Sequence, residues 1–280
     1  MTDGEGATRT VVRDGLVVEG PDAASWLQGQ LSQDVETMAV GASRDSLVLS
    51  PQGRLDSYLR VTREGDDRFL LDLERGFGES LTARLARFKL RVKATLEPVA
   101  VVCRERADGG FDRFGPPEIV PASELPAGEG ADEAVFEAAR IRAGVPRLGR
   151  ELTERTIPQE AGDELVSRTV SFEKGCYTGQ ELVARVDSRG GNVPRRLRLV
   201  RGGSYPDGSL PAPGDAVEVA GAPAGELTSV APDGGTGFVA LGLVKRAALA
   251  EEEIGCTVAG EAGVSEGRIT VPGGEAASWR

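Results

Sequence analysis

The sequence contains no histidine. That absence excludes Ser-His-Asp triads, Cys-His nucleophile pairs and any zinc or haem site held by imidazole. Cysteine is scarce as well: Cys103, Cys176 and Cys256 are the whole supply. Three thiols are too few to hold a four-iron cluster by four thiolates, and no stably bound metal is expected. They lie far apart with no CxxC pair, which fits reduced thiols better than a disulfide framework. Long apolar runs are missing, so nothing matches the length of a membrane span. The opening Met1-Thr2-Asp3-Gly4-Glu5-Gly6 has neither the basic nor the apolar region of a signal peptide. The expectation is a cytoplasmic protein with no membrane contact. Cations are outnumbered, 33 Lys and Arg against 44 Asp and Glu, giving a net charge of −11. Nonspecific nucleic-acid binding needs a basic surface and is not expected, although a local basic pocket stays open. Apolar content of 40% in 280 residues is enough for a large core divided into two or three subdomains.

Against these absences stands one dense run, Lys174-Gly175-Cys176-Tyr177-Thr178-Gly179-Gln180-Glu181. It joins a thiol, a neighbouring cation, two glycines, an amide and a carboxylate. The glycines permit a tight turn and the close approach of a ligand. A thiol flanked by Lys174, or by a helix N-terminus, is expected to be more acidic than a free cysteine. The following Leu182-Val183-Ala184-Arg185-Val186 reads as helix or strand.

The rest of the chain alternates strand and helix signals. Leu16–Gly20 reads as a strand, and Asp22 as the N-cap of a helix carrying Trp26, Leu27 and Leu31. Strands are expected at Asp45–Leu49, Asp56–Val61 and Arg68–Leu73, the first two joined by the turn Pro51-Gln52-Gly53. Glu79 to about Leu90 is an amphipathic helix with Leu81, Leu85 and Phe88 inward. Val92–Leu96 and Val99–Cys103 return to strand. Residues 104–131 are rich in Gly, Pro and acid, and 144–170 read mostly as loop. A helix is expected between them at Asp132–Arg142. From 200 to 260 short strands separated by Gly, Pro and Asp turns point to a small barrel.

The cysteine run resembles the signature of the YgfZ family, folate-binding relatives of the glycine-cleavage aminomethyltransferase (T-protein) implicated in iron–sulfur cluster assembly and repair. Other segments are similar in the same order: Leu27-Gln28-Gly29-Gln30-Leu31-Ser32-Gln33-Asp34-Val35, Ser50-Pro51-Gln52-Gly53-Arg54, Phe88-Lys89-Leu90-Arg91-Val92-Lys93, Arg140-Ile141-Arg142-Ala143-Gly144-Val145-Pro146 and Ile157-Pro158-Gln159-Glu160. The resemblance implies an α+β, aminomethyltransferase-like folate-binding fold with a ferredoxin-like subdomain and a small C-terminal β-barrel. The expected divisions are a disordered 1–10, a folate-binding region over 11–195 with a shortened ferredoxin-like subdomain around 45–131, a barrel over 196–262, and a tail over 263–280.

Function follows from the same likeness. It implies a factor that binds tetrahydrofolate or a derivative and uses Cys176 in assembling or repairing clusters, with iron–sulfur client proteins or assembly factors as partners. Without histidine, a general base for the thiol would have to be Glu173, Glu181 or Lys174, and Lys174 and Glu181 are taken as the site residues beside Cys176. Cys176 is read as a nucleophile, a transient metal or cluster ligand, or a structural thiol. For folate, the expected contacts are Asp56, Phe136, Arg142, Tyr177 and Arg185. Arg189, Arg195 and Arg196 are further cations for a glutamate tail, and Phe136 is either core or a stacking ring. The family's transferases carry a pterin-binding glutamate where this chain has Arg142, which removes the negative charge from that contact. A folate-dependent aminomethyl or one-carbon transferase using Asp56 is the alternative, and a binding module without folate is a third reading.

Overall fold

The computed structural model describes residues 8–109, 118–120, 133–251 and 253–272. Strands β1 (Thr8–Glu19), β2 (Ser43–Leu49), β3 (Leu55–Arg63), β4 (Arg68–Leu73), β5 (Thr95–Arg106) and β6 (Glu118–Val120) form one antiparallel sheet in the order β2-β3-β4-β1-β5-β6. The strands described within the 45–131 stretch thus share a single sheet with β1. Side-chain alternation decides its two faces. Leu16 and Val18 of β1, Leu55, Leu59 and Val61 of β3, and Phe69, Leu71 and Leu73 of β4 enter one apolar core. Helices α1 (Ala23–Gln30) and α2 (Gly78–Arg87) cover that face with Trp26, Leu27, Leu81 and Leu85.

The intervening positions build the opposite face, where Val17, Leu70 and Val101 sit beside buried charge. Asp72 is fully buried and accepts from Arg13 Nε at 2.8 Å and from Arg60 Nε at 2.7 Å. Arg13 also donates to Glu105 at 2.9 Å. Two guanidinium groups on one carboxylate supply the charge-assisted bonds that offset its desolvation.

The second unit is a closed barrel in the order β10-β7-β12-β11-β8-β9. Its strands are β7 (Arg195–Gly203), β8 (Ala216–Val219), β9 (Ala222–Pro232), β10 (Gly237–Lys245), β11 (Ile254–Gly260) and β12 (Gly263–Thr270). Val200, Val217, Leu227, Phe238 and Val258 fill it. Helix α3 (Glu133–Arg142) packs Ala138 and Ile141 onto the outer residues Leu199, Val239 and Leu241. Glu151, buried, ties the units together: its carboxylate accepts from Ser229 Oγ at 2.5 Å and from the Arg147 N–H at 2.9 Å.

Several expectations need correction. Residues 8–10 belong to β1, so the disordered start expected over 1–10 does not extend to them, and residues 1–7 lie outside those described. One long β5 replaces two strands. It tolerates Pro98 because, among the described residues, β6 reaches only Ala100–Val102 and Pro98 pairs on the β1 side alone. The stretch 144–170 is mostly turn and loop as expected, but it also holds a 3₁₀ turn at Pro158–Ala161 and α4 (Asp163–Thr169), which were not. The segment after the cysteine is helix, α5 (Gln180–Ser188). Of the tail expected over 263–280, residues 263–270 are instead β12, which pairs with both β11 and β7 and closes the barrel, and 273–280 lie outside the described residues. Most of 104–131 lies outside the described residues, apart from 104–109 and β6.

Candidate functional site

The cysteine run forms the loop from α4 into α5, and it is clamped to the end of α1. The Ser171 N–H donates to Ser32 O at 3.0 Å, and the Thr178 N–H to Gly29 O at 3.1 Å. Ser32 Oγ donates to Thr169 O at 2.6 Å and Gln33 Nε2 to Arg168 O at 3.0 Å. Gln180 closes the loop upon itself by accepting from the Tyr177 N–H at 3.2 Å. Gly179 precedes α5 with φ +82°, a conformation suited to glycine. A Cβ at Gly179 would stand 2.4 Å from Ser50 O and 2.7 Å from Leu49 Cβ. The loop therefore packs backbone to backbone on the turn that follows β2.

Cys176 is exposed at the outside of this loop, whereas Cys103 and Cys256 are buried. Burial pushes the Cys103 thiol up to about 12 and the Cys256 thiol up to about 11. Lys174 does something other than what its position beside the thiol implies. Its ammonium donates to Gln28 O at 2.6 Å, Leu31 O at 2.7 Å and Gln33 O at 2.9 Å. These carbonyls lie at and just beyond the end of α1, where a helix leaves acceptors unpaired and its dipole favours a cation. All three N–H bonds of the ammonium are spent, so Lys174 is a lock between loop and helix rather than a free partner of the sulfur. Burial lowers it to about 8, with Asp34 and Glu36 opposing that shift. Tyr177 is buried beneath it, the ammonium 5.2 Å from the ring centroid, and burial pushes the phenol up to about 12. Glu181 is exposed in the first turn of α5, and Arg185 is exposed one turn later.

The remaining expected folate contacts are not brought together. Phe136 is 2% exposed, with the Arg9 guanidinium stacked 4.1 Å from its centroid, so it is core and has no face open to a ligand. Arg142 turns to the barrel and pairs with Asp233 in the β9–β10 connection. Asp56 is held by Arg84 Nε at 2.7 Å in a cleft beside α2. Tyr177 is packed and Arg185 faces solvent.

A different cleft, of about 300 Å³, opens between α4, β7 and the segment after α3. Tyr58, Leu165 and Leu197 give it apolar walls; Asp163 and Glu164 stand on one side and Arg168, Arg196 and Arg198 supply cations. Burial lowers Arg198, and the like charge of Arg196 adds to that effect. Burial raises Tyr58, whose hydroxyl donates to Asp45 at 3.1 Å. Arg168 also pairs with Asp45. Of the cations expected from sequence, Arg196 lines this cleft, while Arg195 is engaged by Glu160 at 3.0 Å. Arg198 was legible in principle: residues two apart on a strand share a face. Tyr58 and Arg168 had no local signal. Cys176 lines neither cleft. Among the described residues, no helix is long and apolar enough to cross a membrane, and no group of three acidic or sulfur ligands could hold a metal ion.

Comparison with solved structures defines the class. The chain shares its fold with the glycine cleavage system aminomethyltransferase T of Bartonella henselae, at a TM-score of 0.71 and 16% identity over 95% of this chain and 85% of that one. No family model matches. It is 30% identical over 187 residues to an uncharacterized protein of Haemophilus influenzae, covering 63% of this chain and 67% of that protein. It is 28% identical to the tRNA-modifying protein YgfZ of Edwardsiella ictaluri, over 66% of this chain and 67% of that protein. Identity to the mitochondrial iron–sulfur cluster assembly factor IBA57 homolog of Neurospora crassa is 25%, over 66% of this chain and 51% of that one. The chain belongs to the YgfZ family, built on the aminomethyltransferase fold.

Proposed function

We propose that this protein is a folate-binding accessory factor for the assembly or repair of iron–sulfur clusters, with Cys176 as its working thiol. One observation carries the reading: a single exposed cysteine rides on a loop tied by hydrogen bonds to one short segment, Gln28–Gln33 (Lys174 to three carbonyls, the Ser171 and Thr178 N–H groups, Ser32 to Thr169 and Gln33 to Arg168). A rigidly presented, reachable thiol is suited to meeting a partner's sulfur or a soft metal. The names of relatives, a cluster assembly factor among them, support the same role. The cluster is cargo in this scheme, delivered to or restored in a client enzyme; three dispersed cysteines provide no resident site for it.

Tetrahydrofolate fits the cleft beside α4 by the chemistry of its lining. Tyr58, Leu165 and Leu197 would flank a flat heteroaromatic ring, and Asp163 or Glu164 would accept from the amino edge of a pterin. Arg196 and Arg198 would meet the carboxylates of the glutamate tail, a pairing that also relieves their mutual repulsion. When bound, the folate would supply one-carbon or reducing chemistry, and these residues bind and orient it. Asp56 is committed to Arg84, which weighs against the transferase alternative that needs it as a base. Titration calorimetry with tetrahydrofolate tests the reading. Saturable heat is expected from the native chain, and loss of affinity by roughly tenfold or more from Arg198→Gln. Absence of heat from the native chain removes folate from the proposal. Separately, Cys176→Ala should fold normally and lower the activity of iron–sulfur enzymes under oxidative stress. Unchanged client activity would rule the thiol out.

A further inference from the structure

The cleft beside α2 has an unused capacity of its own. It measures about 520 Å³ and lies against the turn after β2. Arg84 is fixed there on three sides. Its Nε donates to Asp56 Oδ2 at 2.7 Å, its Nη2 to Leu49 O at 2.9 Å, and its plane lies 4.1 Å from the Phe88 ring centroid. The third nitrogen, Nη1, is buried and has no hydrogen-bond partner among the described residues. In the same cleft Ser57 is 3% exposed, and its hydroxyl too is buried without a partner among the described residues. A buried donor left unspent is destabilising, and more so when charged. Both atoms belong to residues that line one cavity, so a ligand reaching them there would relieve the two costs together.

Charge says which ligand. Asp56 neutralises Arg84, but Arg87 also lines the cleft, three residues further along α2 and so on the same helix face. Arg87 is exposed and makes no ion pair among the described residues. The site thus keeps one net positive charge, a fixed guanidinium edge and a hydroxyl donor. We infer that this cleft is an oxyanion site for a small organic phosphate or carboxylate. The anion would be held by Arg84 Nη1, Ser57 Oγ and Arg87, with the ligand body against Phe88. Its volume falls in the range of small-molecule sites and exceeds that of a bare inorganic ion.

The test uses the full chain, with melting followed against added inorganic phosphate and against acetate, each at ionic strength matched by chloride. Saturable stabilisation by phosphate supports a phosphate-bearing ligand, and by acetate alone a carboxylate one. Arg87→Gln, at an exposed position, should weaken the response about tenfold. Ser57→Ala should weaken it several-fold while leaving the ligand-free melting point equal or higher, because it removes an unpaired hydroxyl. If neither anion exceeds chloride, or if both variants respond as the native chain does, the inference is wrong. Tetrahydrofolate heat should survive Arg87→Gln, so failure here is separable from failure of the folate reading.

Discussion

Lys174→Met isolates the lock between the cysteine loop and α1. The substitution keeps an unbranched side chain of similar length and removes the three donors that satisfy Gln28 O, Leu31 O and Gln33 O. Each carbonyl left unpaired costs about 1 kcal/mol at the low end, appropriate to partly buried acceptors that water can reach. Relief of the ammonium's own desolvation offsets part of that sum, leaving about 2 kcal/mol. At about 2.1 cal/mol/K per residue, unfolding this chain carries an entropy near 0.6 kcal/mol/K, so the midpoint should fall by about 3 °C. pH supplies a second readout. The ammonium titrates near about 8 in the folded state and at about 10.4 when unfolded. Between those values the unfolded chain holds more protons, so Lys174 makes stability rise with pH across that window. Below about 8 both states are charged and the penalty is fully present. Lys174→Met should lose this slope, and hydrogen exchange at the Thr178 amide should accelerate. A variant that melts like the native chain, with the slope intact, would refute the lock.

Three other outcomes follow from the same geometry. Of three thiols, a disulfide reagent near neutral pH should titrate one in the native state and all three after denaturation, with Cys176→Ala leaving none in the native state; reaction of two native thiols would contradict the burial of Cys103 and Cys256. Gly179→Ala forces a Cβ to 2.4 Å from Ser50 O on a backbone at φ +82°. It should cost about 2 kcal/mol or more and loosen the loop, measurable by urea denaturation and by faster proteolysis. Asp72→Asn strips the charge that Arg13 and Arg60 share in the buried face of the sheet. A loss of about 3–5 kcal/mol in denaturant titrations is expected, and a loss below 1 kcal/mol would mean that water already reaches the pair.

Much of this molecule was readable from sequence because the signals are local. Short apolar runs bounded by turn signals marked β2, β3 and β4 within a few residues, and the amphipathic pattern marked α2. The cysteine run was recognisable because no ordinary core segment needs so many special residues together. Of its two glycines, Gly179 sits where the backbone demands one, at φ +82°, whereas a Cβ at Gly175 would meet open space. By contrast, β12 looked like a tail because its polar and glycine-rich residues gain strand structure only from pairing with β11 and β7. Helix α4 was missed because its seven residues depend on the packing of Leu165, Val166 and Thr169 rather than on propensity.

The sequence by itself determined what chemistry is available: no imidazole, three thiols, and one cysteine in a turn-forming run. It also determined the family, since ordered short motifs survive as linear text. Only the tertiary structure decided what the charged residues do. Lys174 stands two residues before Cys176 in the chain, yet three carbonyls from Gln28–Gln33 claim it. Arg142 turns to Asp233 and Asp56 to Arg84, partners 91 and 28 residues distant. A long cation takes whichever acceptor the folded backbone leaves unpaired within reach, and that acceptor is set by packing between remote segments.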